Sequence, residues 1–216
     1  MRAFTPHGAG TRCPACLLRH ETCICNWLPR ISNRMHVHIV RHSSELRRPT
    51  NSARIAALAL QRCTLVDHGL PHVRFDPAPV SGDDTWLLFP EGHPPDDRSA
   101  PAPPAPRTPV RRPRVLVVLD GNWGQARRMS KRLPVVRDLP RLAVPPPRPG
   151  THRLRRPHAP WAMATIEAIA RAFDALGEPD VGAALDAVFL EFVRRTRIQR
   201  GEPAEGWRPP GPSQES

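Results

Sequence analysis

The chain has 216 residues, 39% of them hydrophobic, with 29 prolines and a formal net charge of +12 from 32 basic and 20 acidic side chains. That length suits one domain with a sizeable core, or one domain and a small satellite. No apolar run is long enough to span a membrane, and MRAFTPHGAG lacks the apolar stretch of a secretion signal, so the expected compartment is the cytoplasm, where disulfides are rare.

Residues 11–27 are short and cysteine-rich. MHVHIV at 35–40 alternates as a half-buried strand does. A loop, RHSSELRRP, then leads to Thr50-Asn51-Ser52, small polar residues suited to capping a helix that continues through Ile55, Leu58 and Leu60. Strands are predicted over 63–66 and 86–89, the second ended by Pro90. Residues 93–113 are rich in proline and alanine without periodicity, and read as a surface insertion within one domain. RVLVVL at 114–119 is the strongest strand signal: an apolar run expected of a strand covered on both faces of a parallel sheet. Asp120-Gly121-Asn122 follows, then a helix over 123–132 and a weaker strand over 139–144. A helix over 161–176 is broken by Gly177 and Pro179, and another over 181–197 carries Val181, Leu185, Val188, Phe189 and Phe192 on one face. Strands alternating with helices predict an α/β fold, a mostly parallel sheet with flanking helices whose ligands bind beyond the carboxyl ends of the strands. The layout is then a cysteine knuckle over 1–30, a body over 31–200 and a tail over 201–216.

Cys13, Cys16, Cys23 and Cys25 are spaced C-x2-C-x6-C-x-C. Four thiolates in one short loop meet the tetrahedral demand of structural zinc, and metal binding would fold a segment that otherwise offers little core. A redox C-x-x-C is the alternative, but it leaves the second pair unexplained. Cys63, at a strand start, reads as a buried thiol. His36 and His38 share a strand face, with His42 just after; a second metal site and ordinary packing both fit them.

Lys131 is the only lysine among the basic residues; the others are arginines. A positive surface draws in polyanions, and the arginine fork suits phosphate and stacks on bases, so nucleic acid is the expected partner and a solvated basic face the alternative. Asp120 stands at the end of the most buried strand, where a carboxylate is held rigidly toward a ligand; an N-cap role suits the same position.

LDGNWGQARRM resembles the signature of the DTW-domain family, an Asp-x-Thr-Trp motif followed by an alanine one turn later. Asp120, Trp123 and Ala126 fit it, and Asn122 replaces the usual threonine. Further segments agree in order: the cysteine cluster; SSELRRPTNSAR with Glu45, Thr50 and Asn51; LLFPEG with Pro90, Glu91 and Gly92; HRLRRP with Arg153 and Arg155, where His152 replaces tyrosine; and ATIEAIA with Thr165, Glu167 and Ala168, where Ala164 replaces serine. The resemblance runs from about residue 13 to residue 195.

The resemblance implies a fold related to the knotted SPOUT-type methyltransferases, and transfer of the 3-amino-3-carboxypropyl group of S-adenosylmethionine to N3 of a tRNA uridine. Under it, Asp120 is the candidate base, or the acceptor that orients N3–H, and burial would raise its pKa toward that role. Trp123 would stack on the base or on adenine, or is a core residue at a helix start. Pro90, Glu91, Gly92, Leu119, Thr165 and Glu167 are candidates for the cofactor, Glu167 also suiting a helix cap. Arg41 and Arg47 are candidates for the RNA backbone, and Arg153 and Arg155 for RNA phosphate or the amino acid carboxylate of the cofactor. Two other readings are a methyltransferase on the same scaffold and a noncatalytic zinc-knuckle RNA-binding factor. Whether the protein is a monomer or a homodimer is open.

Overall fold

The computed structural model describes residues 11–90, 112–145, 154 and 162–202. Its elements, in chain order, are β1 (His36–His42), α1 (Ser52–Ala59), β2 (Cys63–His68), β3 (Thr85–Leu88), β4 (Val115–Asp120), α2 (Trp123–Arg132), β5 (Arg141–Leu142), α3 (Thr165–Ala175) and α4 (Pro179–Gln199). The five strands form one parallel sheet in the order β2-β1-β4-β3-β5.

The apolar run of β4 explains the layering. Leu116 and Val118 pack with Ile39, Ile55, Ile166, Ile169, Phe173, Leu185 and Phe192, on the sheet face covered by α1, α3 and α4. Val117 and Leu119 point the other way, toward Ala126, Met129 and Leu133 of the α2 layer, with Val40, Leu87 and Phe89 beside them. Alternation along a strand sends successive side chains to opposite faces, so a strand apolar at every position needs cover on both. Each fully buried Leu, Ile or Phe contributes about 1.5–3 kcal/mol.

β1 departs from the expected half-buried strand. It lies between β2 and β4, and its five inner residues are all buried, His38 included. It also runs on to His42, because Arg41 pairs in register with Asp67 of β2 and Asp120 of β4. Arg41 and His42 therefore belong to the sheet and not to the following loop. The weak strand expected over 139–144 pairs only at Arg141–Leu142, against Leu87 and Leu88 of β3. α3 begins at Thr165, after Ala162–Ala164 in non-helical backbone, and its C-cap Leu176 is followed by Gly177, whose φ of +78° is open to glycine without strain.

From β1 the chain passes through α1 to β2 on one side; from β4 it passes through α2 to β5 on the other. Adjacent parallel strands whose connections diverge leave a crevice between their carboxyl ends. Asp120 closes β4 there, and Arg41 and His42 close β1. The insertion over 93–113 lies outside the described residues up to Arg111, as do the tail beyond Glu202 and, Leu154 apart, the connection over 146–161.

The cysteine segment is not an appendage. Leu18 and Ile24 are fully buried in the α1/α3/α4 core. At the far end of the chain, Arg195 of α4 donates to the carbonyl of Cys23, and the backbone N–H of Arg19 donates to Gln199 Oε1 at 2.8 Å. No helix among the described residues is long and apolar enough to cross a membrane.

Candidate active site and metal centre

The Asp120 carboxylate is buried, with 4% of its surface exposed. Two helix starts converge on it. Asn51, the N-cap of α1, accepts from the backbone N–H of Arg54 with Oδ1 at 2.9 Å and donates to Asp120 Oδ2 with Nδ2 at 2.6 Å. Thr165, the first residue of α3, donates its hydroxyl to Asp120 Oδ1 at 2.6 Å. Burial pushes the Asp120 pKa up, against the two hydrogen bonds that favour the anion; Glu45 nearby adds to the rise, and Arg41 opposes it. Helix N-termini carry partial positive charge, which suits a carboxylate held out of water.

The capping alternative for Asp120 is therefore excluded. The N-cap of α2 is Asn122: its Oδ1 accepts from Gln125 N at 2.9 Å, and Gln125 Oε1 accepts from Asn122 N at 2.9 Å, a reciprocal capping box. Gln125 Nε2 donates to Ser44 Oγ at 2.9 Å, and the Ser44 backbone N–H donates to His42 Nδ1 at 3.2 Å. Gly121 permits this closeness: a Cβ there would stand 3.0 Å from Gln125 Oε1 and 3.3 Å from His42 Cβ. None of this network is visible as a motif; only the Asn-x-x-Gln spacing of the cap could have signalled it.

Trp123 lies on the other side of the sheet from the partners of Asp120. Its ring stacks on Phe89, with centroids 5.2 Å apart and planes at 4°, and the Arg141 guanidinium sits 5.2 Å over the same Phe89 ring. It remains partly exposed.

The Sγ atoms of Cys13, Cys16, Cys23 and Cys25 lie within 4.8 Å of one another, Cys13–Cys25 at 3.6 Å and Cys16–Cys23 at 3.7 Å. A tetrahedron of Zn–S bonds of about 2.3 Å has edges of about 3.8 Å, so the four sulfurs are spaced to hold such an ion. Bare thiols so crowded share protons unevenly. Contact with Cys23 and Cys25 brings Cys16 down to about 2, while contact with Cys16 pushes Cys23 up to about 12 and raises Cys25 as well. Of the other candidates, Cys63 is pushed up to about 12 by burial alone, and His36 bonds Thr64 Oγ1 at 3.0 Å. No second metal-binding group forms among the described residues.

The profile of the DTW domain family matches residues 10–197, from just before the cysteines to the last turn of α4. The chain belongs to the DTW-domain family. No solved structure matches it. Membership is consistent with a tRNA-modifying enzyme.

In this DTW domain the motif residues fall into three groups. Asp120, Asn51 and Thr165 meet directly, with Glu45 buried nearby. A second group is held away from them. Leu119 is core on the α2 face, and Glu167 is buried and turned back to accept from Ala164 N at 2.6 Å, as a cap does. Pro90 ends β3, its carbonyl accepting from Arg141 at 3.4 Å. Glu91, Gly92, Arg153 and Arg155 form the third group, outside the described residues, although Leu154 between the two arginines is buried. Arg41 is a correction. Expected on the RNA backbone, it is 4% exposed and grips Asp67, with Nε at 2.6 Å from Oδ1 and Nη2 at 3.1 Å from Oδ2, so its guanidinium is withdrawn from the surface. Arg47 is exposed.

The departures from the family pattern now have structural accounts where they are described. Asn122 caps α2 as well as threonine would. Ala164 is the N-cap of α3 and supplies no side-chain acceptor, leaving Glu167 to complete only half of a capping box. Ala164→Ser is expected to stabilise the protein by about 1 kcal/mol, raising the melting temperature by roughly 2–4 °C. An unchanged melting curve in calorimetry would show that the α3 start gains nothing from a side-chain cap.

Proposed function

We propose that this DTW protein transfers the 3-amino-3-carboxypropyl group of S-adenosylmethionine to N3 of a uridine in tRNA. The observation that supports it best is the buried Asp120 carboxylate, raised in proton affinity and gripped by Asn51 and Thr165 at the crevice end of the sheet. An imide nitrogen is a poor nucleophile until it loses its proton, and a desolvated carboxylate is a stronger base than an exposed one. In the step, N3 loses its proton, with Asp120 as acceptor. The new bond joins N3 to the γ-carbon as the bond from that carbon to sulfur breaks, and the electron pair leaves with methylthioadenosine. Thr165 would then serve both the carboxylate and the adenosyl ligand, with Pro90, Glu91, Gly92, Leu119 and Glu167 shaping the ligand's surroundings and Trp123 a stacking platform. The same reading carries a SPOUT-like knotted core and zinc held by Cys13, Cys16, Cys23 and Cys25 in a structural role, since four protein ligands leave no open position.

Exposed Arg47 and Arg48, in the segment after β1, and Arg128, in the second turn of α2, supply cations at the crevice end for the RNA backbone, with Arg153 and Arg155 as further candidates. Incubation of the purified protein with S-adenosylmethionine and unmodified tRNA, followed by nucleoside mass analysis, tests the reading. A uridine heavier by one aminocarboxypropyl group, with methylthioadenosine released, is the expected result. A methylated nucleoside with S-adenosylhomocysteine would reverse the reaction type. Tight tRNA binding without any product would favour a noncatalytic RNA-binding factor.

A further inference from the structure

We infer that the cysteine knuckle and the last turn of α4 form a second RNA-docking face, which holds the phosphate backbone of tRNA beside the crevice; this rests on tRNA being the substrate, as read above. The face lies at the same end of the molecule as Asp120. Glu178, just before α4, accepts from the backbone N–H of Arg34 at 3.0 Å, and Arg34 precedes β1, so α4 starts at the amino ends of the strands. α3 starts at Asp120 and packs beside α4, running the other way. The 21 residues of α4 rise about 30 Å toward the carboxyl ends. The knuckle is tied to its last turn: Arg19 N donates to Gln199 Oε1 at 2.8 Å, and the Thr22 hydroxyl reaches the same oxygen at 3.3 Å. Arg54 Nη1, in the first turn of α1, lies 3.5 Å from the Ala15 carbonyl of the knuckle, and α1 is the helix whose cap, Asn51, holds Asp120. Knuckle, helix end and the partners of Asp120 therefore share one end and one face of the sheet.

The side chains there suit a polyanion. Arg12 and Arg19 are exposed and stand opposite each other across an antiparallel bridge. Like charges directly opposite repel, and a bound phosphate relieves the repulsion. Arg197 and Arg200, on either side of Gln199, share the one carboxylate of Glu202 at 3.7 and 3.9 Å, both longer than hydrogen bonds, so this corner stays positive. Glu21 is the other exposed acid of the face. The amino end differs: Arg34, Arg62 and Arg114 are exposed there too, but Asp83, Asp84 and Asp180 share that end. Arg200 Nη2 also donates to the Leu154 carbonyl at 3.1 Å, and Leu154 lies between Arg153 and Arg155 in sequence. One nucleotide in the crevice carries little of an RNA's affinity; backbone phosphates carry most of it, and the guanidinium fork matches them.

The test measures binding of unmodified tRNA to the full chain at several salt concentrations. Arg12→Gln combined with Arg19→Gln is expected to weaken binding on the order of 10-fold and to reduce the slope of log affinity against log salt by about 2, one phosphate per side chain. Arg19→Gln alone should reduce the slope by about 1; its guanidinium makes no hydrogen bond among the described residues, so the fold loses nothing with it. Arg34→Gln combined with Arg62→Gln removes the same charge from the amino end, beyond a Debye length, and should leave binding within about 2-fold of wild type. Wild-type affinity and slope in the knuckle variants overturn the inference, as does an equal loss in the amino-end pair. Knuckle-dependent binding by a wild type that makes no aminocarboxypropyl-uridine overturns the reaction reading and leaves the docking face standing. Wild type that does not bind tRNA overturns both.

Discussion

Asp120→Asn is expected to fold as wild type does and to lose about 100- to 10,000-fold in kcat, the usual worth of a general base. The isosteric amide can turn its oxygen to Asn51 Nδ2 and its NH2 to the Thr165 hydroxyl, so neither partner is stranded. Asp120→Ala differs: it strands two donors in a buried site, at about 1–3 kcal/mol each. Turnover by Asp120→Asn at the wild-type rate would remove Asp120 from the chemistry and leave it a strut between two helices. The pH dependence carries a second signature. Because burial raises the folded pKa above its unfolded value, the native state favours the protonated acid. Its contribution to stability is complete below the unfolded pKa, about 4, and is lost as pH rises through the folded one. Asp120→Asn does not titrate, so it should gain on wild type over that window in denaturant titrations at several pH values. Wild-type kcat should fall with acid over the same window.

Removing the metal is expected to have the largest effect on stability. One zinc per chain should be found by elemental analysis, and chelation or Cys16→Ser should lower the melting temperature on the order of 10 °C. The size follows from packing. Leu18 and Ile24 belong to the same core as Phe173 and Phe192, and the Cys23 carbonyl is a partner of Arg195, so an unfolded knuckle opens the main core. Acid should release the metal too, since protons compete for thiolate. A chelated protein with the original melting curve would make the cysteines ordinary buried thiols.

The local features were legible because their causes are local. The unbroken RVLVVL run marks a doubly covered strand, Asn51 and Gly177 mark helix ends, and four cysteines within thirteen residues mark a cluster close enough to hold a metal. The site itself was legible only as a set of resembling segments. Asp120 meets Asn51 across 69 residues and Thr165 across 45, and those meetings depend on strand order and register, which no periodicity encodes. Arg41 misled for the same reason. In sequence it is one cation in a basic loop, while in the sheet it is in register with Asp67, which claims it. His42 reads as a spare histidine after a strand until the α2 cap ties it down through Gln125 and Ser44.

The docking of the knuckle on α4 has a consequence for how the chain is assembled. The four cysteines span thirteen residues, so the metal loop can close soon after it emerges during synthesis, at small entropic cost. Its contacts with Arg195 and Gln199 join residues up to 180 positions apart, and await the last helix. A nascent chain can therefore bring its four cysteines together with Leu18 and Ile24 still uncovered, and α4 is the latch that closes the fold from the other end.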